Sequence, residues 1–304
     1  MTISAAERSI RARFPLIRFM QAYMPLSVSR WLLRLSVSRL QLDPDVRREK
    51  VLADGVPCEW LITQNASPGQ VLLYLHGGGF VLGITHLHIQ MVATLAKMMA
   101  VRALMVDYRL GPEHPYPAAL DDCVAAYRWL LKQGVRAQDI VLAGDSAGGN
   151  LALTSLLKLR DSVDPLPAAV ACLSPVADFS DSTLPPPGFK DPLIPARVGR
   201  FYRDAYLGGH DAHDALVSPI FADLHGLPPL LVHAGEGELL HYDALRITEL
   251  AKASEVEARV EIYPRMFHVW QIYLEMPEAL QSLEDIAGFL NAHMRAAKTQ
   301  PNPC

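Results

Sequence analysis

The chain has 304 residues and a formal net charge of −4, with 50% hydrophobic and 20% charged residues. This composition is typical of a globular protein with a substantial core, and the slight negative charge provides no basic field for a nucleic-acid backbone. No apolar run reaches the roughly 18 residues that a membrane span needs, and no cleavable secretory signal is visible. We therefore expect a cytoplasmic protein with no nucleic-acid partner and no stable membrane span.

The first 42 residues contain seven arginines but a single acid, Glu7. An arginine-rich, acid-poor amphipathic start is found in targeting segments and in membrane-surface helices. The interpretation that we favour is one or two helices that expose their arginines to solvent. Their other face, which includes Phe14, Phe19 and Trp31, would then lie on the protein.

Short apolar segments alternate with longer amphipathic patterns from residue 71 onward. The predicted strands are 71–75, 103–108, 140–144, 168–173, 230–235 and 256–263, and the predicted helices are 86–100, 117–133, 147–160, 241–254 and 279–296. Several strands are apolar on both faces, which is typical of strands covered by helices on both sides. The alternation predicts an α/β fold with a mostly parallel central sheet flanked by helices.

Two segments fall outside this alternation, namely 1–45 and 180–216. The second opens with a run of prolines and contains the helical pattern IPARVGRFYRDAYL. In α/β enzymes ligands bind outside the carboxyl ends of the strands, and we expect these extra helices to form a cap there. We therefore predict N-terminal cap helices at 1–45, a catalytic domain at 46–304 and a cap insertion at 180–216.

The motif GDSAGGN, at 144–150, lies between a predicted strand and a predicted helix. A G-x-S-x-G pattern in this context indicates a nucleophile elbow, a turn so sharp that small residues must flank the serine. Gly144 and Gly148 supply those small residues, Ser146 is the predicted nucleophile, and we expect its neighbour Asp145 to brace the loop. The alternative is an ordinary glycine-rich turn into a helix, and a second motif upstream argues against it.

That second motif is HGGGF, at 76–80, directly after the first predicted strand. Consecutive glycines let the backbone approach a ligand and leave amide hydrogens available for an oxyanion. Such a loop can also bind phosphate, but neither GxGxxG nor GxxxxGK[ST] occurs in the chain. The amides of Gly77 or Gly78, together with that of Ala147, are the predicted oxyanion hole.

A serine nucleophile needs a general base, and in hydrolases with this elbow the chain order is serine, acid, histidine. His268 follows the last predicted strand, in the loop PRMFHVW, and is the predicted base. Residues 233–243, HAGEGELLHYD, offer three candidate acids, Glu236, Glu238 and Asp243. We expect Asp243 to face the solvent or capping surface of its helix, which leaves the two glutamates.

The sequence predicts neither a metal site nor another cofactor. His86 and His88 have the spacing of a ligand pair, but no third ligand, HExxH motif or Cys/His cluster accompanies them. The four cysteines, at 58, 123, 172 and 304, are widely spaced and form no CxxC pair. We expect them to be free thiols.

Together these motifs resemble the hormone-sensitive-lipase-like (bacterial family IV) esterases of the α/β-hydrolase fold. The resemblance covers roughly residues 50–295 and rests on HGGGF, DYRLGPEHPYPAALDD, GDSAGGN, LSPVAD and YPRMFHVWQ. In many relatives the acid loop reads like GSDEVLLDD, and Gly237 occupies the aspartate position here. Some members use a glutamate at the next position, so the resemblance implies a triad of Ser146, Glu238 and His268, with Glu236 as the alternative acid.

The resemblance also implies an α/β-hydrolase fold with a helical cap and a carboxylesterase activity on small-molecule esters with short to medium acyl chains. It suggests a homodimer through an edge strand, with 256–263 as the candidate. Amide or lactone hydrolysis at the same site is an alternative. A non-catalytic small-molecule receptor is another, but plant hormone receptors that resemble this family lack the histidine that is present here as His268.

Overall fold

The computed structural model describes residues 4–180 and 189–299, so Cys304 and the prolines at 185–187 lie outside the described residues. The described helices are α1 (Ala5–Arg11), α2 (Phe14–Tyr23), α3 (Leu26–Ser38), α4 (His86–Met99), α5 (Ala118–Lys132), α6 (Ala147–Asp161), α7 (Ala196–Leu207), α8 (His241–Ala253) and α9 (Pro277–Thr299). The described strands are β1 (Val46–Ala53), β2 (Val56–Thr63), β3 (Ser67–Leu75), β4 (Val101–Val106), β5 (Ile140–Asp145), β6 (Val170–Leu173), β7 (Leu230–Gly235) and β8 (Ala258–Tyr263).

The strands form one sheet in the order β1-β2-β4-β3-β5-β6-β7-β8. All neighbouring pairs from β4 to β8 are parallel, and β2 pairs antiparallel with both β1 and β4. The predicted mostly parallel sheet is therefore confirmed. The edge position of β8 is the one that the predicted homodimer requires, and the dimer itself stays a prediction.

The hairpin of β1 and β2 is missing from the sequence-based prediction. Its turn consists of Asp54 and Gly55, with φ values of 49° and 88°. An Asp-Gly pair between two strands is a strong hairpin signal, because a two-residue turn of this type needs positive φ at both positions. The Asp-Gly dipeptide at 54–55 is therefore the feature of the sequence from which this hairpin could have been predicted.

Helices cover both faces of the sheet and so form two large apolar layers. On one face α5, α6 and α8 contribute residues such as Leu120, Leu151 and Ile247, and on the other α4 and α9 contribute Val92 and Leu290. Burial on both faces explains why the central strands are apolar along their whole length. The three described cysteines are buried free thiols, as predicted, and burial raises the pKa of Cys58 to about 12.

The N-terminal segment is helical, as predicted, but its orientation differs in part from the prediction. Phe14 is buried, whereas Phe19 and Trp31 are each 61% exposed. Arg11 and Arg18 instead turn inward and donate hydrogen bonds to the backbone carbonyl groups of Arg265 and Asp191. Four of the seven arginines are exposed as expected, so the predicted orientation holds in part. The exceptions arise because long guanidinium groups can reach backbone carbonyl groups of neighbouring loops.

None of the helices that the structure describes is long and apolar enough to cross a membrane. The division of the chain into cap helices at 1–45 and a catalytic domain at 46–304, with a cap insertion at 180–216, stays a prediction. The residues of α1 to α3 are called the arm, and residues 189–207, which include α7, are called the insertion.

Candidate active site

Ser146 lies at the turn between β5 and α6, with φ 53° and ψ −116°. Few residues other than glycine adopt this backbone conformation, so the serine is held in a strained state. Its amide donates to the Leu173 carbonyl oxygen over 2.8 Å, which ties the turn to the end of β6. The strand-turn-helix geometry of the predicted elbow is present.

The glycines that flank Ser146 leave room for the turn. A Cβ on Gly148 would collide with the carbonyl group of Leu75, and one on Gly144 would collide with that of Gly148. Backbone atoms cannot move aside cheaply, because they belong to β3 and α6. The elbow therefore needs glycine at both positions for steric reasons.

Ser146, His268 and Glu238 form one hydrogen-bonded chain. His268 Nε2 lies 2.9 Å from Ser146 Oγ, and His268 Nδ1 lies 2.5 Å from Glu238 Oε2. All three residues are buried, and Glu238 is 0% exposed. An imidazole in this position accepts the serine proton at one nitrogen while the carboxylate holds the other nitrogen in its protonated form.

The second oxygen of Glu238 is fixed by the surrounding loops. Glu238 Oε1 accepts hydrogen bonds from the Ser174 hydroxyl and the Gly235 amide, both over 2.6 Å. These donors come from the loop after β6 and from the end of β7. With partners on both of its oxygens, the buried carboxylate is held in one orientation toward His268.

The other two candidate acids lie elsewhere. Glu236 Oε2 accepts a hydrogen bond from the Arg265 amide over 3.0 Å, so it holds the histidine loop by its backbone. Asp243 was expected to face the surface of its helix, and this is wrong. Its side chain is buried and accepts from the amides of Ala177 and Asp178, over 2.8 and 3.2 Å, which braces the loop after β6.

The glycine loop after β3 corrects one prediction about the oxyanion hole. The Gly77 amide donates to Asp145 Oδ1 over 2.9 Å, so this N–H is already paired. The amides of Gly78 and Gly79 have no acceptor among the described residues, and Ala147 is the first residue of α6, whose N–H groups at that end have no partner within the helix. Gly78, Gly79 and Ala147 are thus the amides that remain available beside the serine.

Asp145 precedes the serine and braces this loop, as expected from the sequence. Besides the Gly77 amide, it accepts a hydrogen bond from the Tyr74 hydroxyl over 2.8 Å, and His88 Nε2 lies 3.2 Å from its other oxygen. Burial opposes its charge, but His88 and the hydrogen bonds hold the pKa of Asp145 below its usual value. His88 therefore has a structural partner, and the described residues contain no cluster that could hold a metal ion.

The insertion covers the glycine loop. The ring of Tyr202 packs directly on Gly79, and the ring of Phe80 stacks on that of Tyr206 with centroids 3.7 Å apart. An apolar cleft of about 410 Å³ lies beside this contact, lined by residues of α2, α3 and α7 and by Leu82. The arm and the insertion thus supply an apolar surface next to the glycine loop.

The chain is similar to known hydrolases along most of its length. A family model described as the alpha/beta hydrolase fold matches residues 72–272. An acetyl-hydrolase of Streptomyces hygroscopicus is 40% identical over 235 residues, which are 76% of this chain and 78% of that protein. An esterase of Acinetobacter venetianus is 35% identical over 258 residues, 81% of this chain and 82% of that protein.

Comparison with solved structures leads to the same group of proteins. The crystal structure of an esterase from the bacterial hormone-sensitive lipase family superposes with a TM-score of 0.87 at 39% sequence identity, and covers 97% of this chain and 100% of that chain. The fold and the family expected from the motifs are both confirmed. The chain belongs to the α/β-hydrolase family, within its hormone-sensitive-lipase-like branch of bacterial esterases.

Proposed function

We propose that this protein is a carboxylesterase in which Ser146, His268 and Glu238 form the catalytic triad. The observation that carries the proposal is the continuous hydrogen-bonded chain from Ser146 Oγ through the imidazole to a fully buried carboxylate. A receptor that only binds a small molecule has no need for this series of hydrogen bonds. The names of the relatives also favour ester hydrolysis, since two of them are called esterase and acetyl-hydrolase.

The reaction proceeds by two acyl transfers. Ser146 Oγ attacks the ester carbonyl carbon while His268 Nε2 takes its proton, and His268 then returns this proton to the leaving alkoxide. In the second step His268 deprotonates a water molecule that attacks the acyl-enzyme, and it then returns the proton to Ser146 Oγ as the bond between the acyl group and the serine breaks and the acid leaves. Glu238 keeps the imidazole in the correct tautomer and stabilises the imidazolium.

We assign the oxyanion hole to the amides of Gly78, Gly79 and Ala147. Gly77 is left out of it because its amide is paired with Asp145. Each preorganised donor of this kind contributes about 3 to 4 kcal/mol to the transition state. The hydrogen bond from Gly77 to Asp145 still contributes indirectly, because it fixes the loop that presents the next two amides.

The substrate class that we propose is esters with short to medium acyl chains. The apolar cleft of about 410 Å³ begins at Leu82, which packs against Gly78 of the oxyanion loop. A cleft of this size accommodates a small apolar group. Tyr202, which covers Gly79, limits the space next to the reacting carbonyl.

A substrate series tests this proposal. We expect the purified protein to hydrolyse p-nitrophenyl acetate and butyrate with a higher kcat/KM than the dodecanoate, and each ester faster than the matched p-nitroanilide. A fluorophosphonate probe should label Ser146 covalently, as peptide mass mapping would show. A folded protein that neither turns over any of these esters nor takes up the probe would refute the esterase assignment, and faster anilide cleavage would make it an amidase.

The pH profile gives a second prediction. Burial opposes the charged form of His268, but the carboxylates of Glu238, Asp191 and Asp145 outweigh it and raise the pKa of the imidazole above its usual value of 6.5. The base is inactive when protonated, so activity must fall as the pH drops through this raised pKa. We therefore expect the acid limb of log(kcat/KM), which reports the free enzyme, to have its midpoint above pH 6.5. A midpoint at or below that value would contradict the electrostatic argument.

A further inference from the structure

The loops that carry the base and the acid of the proposed triad are both held by segments outside the sheet. The base lies in residues 264–270, which follow β8, and the acid lies in residues 236–240, which follow β7. Such loops carry no ladder hydrogen bonds of their own, so the contacts around them decide where their side chains point.

The arm holds the base loop through charges. Glu7, which is 0% exposed, lies 2.8 Å from Arg11 Nε and 3.6 Å from Arg265 Nη2. Arg11 also donates to the Arg265 carbonyl oxygen over 2.5 Å. Arg265 precedes His268 by three residues, and its φ of 62° marks a tight turn. The buried carboxylate of Glu7 therefore contacts the turn that leads to His268, both directly and through Arg11.

Apolar contacts reinforce the same attachment. The rings of Phe14 and Phe267 meet edge to face with centroids 4.8 Å apart, and the guanidinium group of Arg11 lies 5.3 Å from the centre of the Phe267 ring. Ile10, Phe14 and Phe267 belong to one buried cluster that also includes Trp270. Since Phe267 is the neighbour of His268, the arm packs directly against the residue that precedes the base.

The insertion holds the acid loop in a similar way. Asp191 Oδ2 accepts a hydrogen bond from the Leu239 amide over 2.8 Å, directly after Glu238. Asp191 Oδ1 accepts from the amides of Leu193 and Ile194, each over 2.7 Å, so the carboxylate is rigidly placed. Arg18 of the arm donates to the Asp191 carbonyl oxygen over 2.8 Å.

These contacts form a closed ring. The arm holds the base loop, the base loop is joined to the acid loop through Gly237 and Glu236, the insertion holds the acid loop, and Arg18 joins the insertion back to the arm. We propose that Glu7 and Asp191 are positioning residues that set the distance between the base and the acid of the triad. The proposal rests on the proposed esterase function.

The expected effect is on the chemical step. Neither side chain contacts Ser146 or His268 by a hydrogen bond among the described residues, so its loss removes no reacting group but allows the loops that carry His268 and Glu238 to shift. A misplacement of about 1 Å lowers the rate by about 100-fold. We therefore expect Glu7→Gln and Asp191→Asn each to lower kcat by about 10- to 100-fold, with KM for p-nitrophenyl butyrate changed by less than about threefold.

Two matched variants control for a general weakening of the arm or the insertion. Glu113→Gln removes a carboxylate that pairs with Arg30 of the arm over 2.8 Å, away from both triad loops. Asp204→Asn removes a carboxylate from α7. Both controls should keep kcat within about twofold of the parent protein. Circular dichroism and a melting curve establish that each variant is folded.

Three further readouts separate positioning from simple stability. The acid limb of kcat/KM should move to lower pH in Asp191→Asn, since this carboxylate helps to raise the pKa of His268, and should stay in place in Asp204→Asn. The effects of Glu7→Gln and Arg265→Gln should be strongly non-additive, because they remove the two ends of one contact. The low-field proton resonance between His268 Nδ1 and Glu238 should broaden or shift in both positioning variants.

The outcomes distinguish the two proposals. If the parent protein hydrolyses esters while folded Glu7→Gln and Asp191→Asn keep full kcat and an unchanged low-field resonance, the positioning role is refuted and the esterase function stands. If the parent protein is inactive, the esterase function is refuted. The resonance then still decides whether these two carboxylates control the contact between imidazole and glutamate.

Discussion

Ser146→Ala is expected to lower kcat for p-nitrophenyl butyrate by about 10⁶-fold, the loss seen when the nucleophile of a serine triad is removed. Alanine keeps the Cβ and fits the strained elbow as serine does, so the variant should fold with an unchanged circular dichroism spectrum. The hydroxyl is lost, and with it the covalent path. Single-turnover kinetics with the ester and labelling with the fluorophosphonate probe measure both consequences.

The same variant tests where the residual activity comes from. The free amides of the oxyanion loop stay in place and continue to stabilise a tetrahedral anion formed by attack of water. A small rate above the uncatalysed reaction is therefore expected. An unchanged kcat, or labelling of another serine by the probe, would show that Ser146 is not the nucleophile.

Glu238→Gln is expected to lower kcat by about 10⁴-fold, by analogy with the loss of charge at the acid of a serine protease triad. The amide fits the same space, but it no longer stabilises the imidazolium and presents a donor toward His268 Nδ1. The imidazole is then driven into the wrong tautomer. Steady-state kinetics at saturating p-nitrophenyl butyrate measure the loss.

Glu236→Gln is the matched comparison, because it makes the same chemical change two residues earlier in the loop. Its amide oxygen can still accept the hydrogen bond from the Arg265 amide, so we expect a loss below about tenfold. A larger loss in Glu236→Gln than in Glu238→Gln would move the acid to Glu236 and contradict the geometry at His268.

Local motifs explain why much of the site was predictable. The elbow and the glycine loop each place their functional group within a few residues of a strand end. Sharp turns of this kind need glycine, and the positions of the glycines can be read directly from the sequence. Gly144 and Gly148 illustrate this, since their neighbours are backbone carbonyl groups that leave no room for a side chain. The parallel sheet was predictable because strands buried on both faces are apolar throughout.

The remaining features depend on distances between segments far apart in the chain. Spacing alone left Glu236 and Glu238 open, and the distance of 2.5 Å from Glu238 to His268 Nδ1 distinguishes them in the folded molecule. The pairing of the Gly77 amide follows from the direction of the Asp145 side chain, which no pattern in HGGGF specifies. Asp191 lacks any motif, because it acts through the backbone amide of Leu239.

The orientation of the arm helices is another feature that the sequence pattern does not determine. An amphipathic pattern says which residues share a helix face, but it does not say which face is turned inward when both faces contain long side chains. Phe19 and Trp31 are exposed, whereas Arg11 and Arg18 donate to the backbone carbonyl groups of Arg265 and Asp191. A prediction that treats every arginine as a surface residue misses such contacts.

The φ of 53° at Ser146 places stability and activity in conflict during evolution of this protein. A backbone state of this kind costs on the order of 1 to 3 kcal/mol for any residue with a side chain, and glycine would relieve most of it. A selection for heat resistance alone would thus favour the loss of Ser146, the proposed nucleophile. A library designed to raise the thermal stability of this enzyme therefore needs an activity screen in every round. Replacement of Ser146 by glycine would relieve the strain at the elbow, but it would also remove the proposed nucleophile.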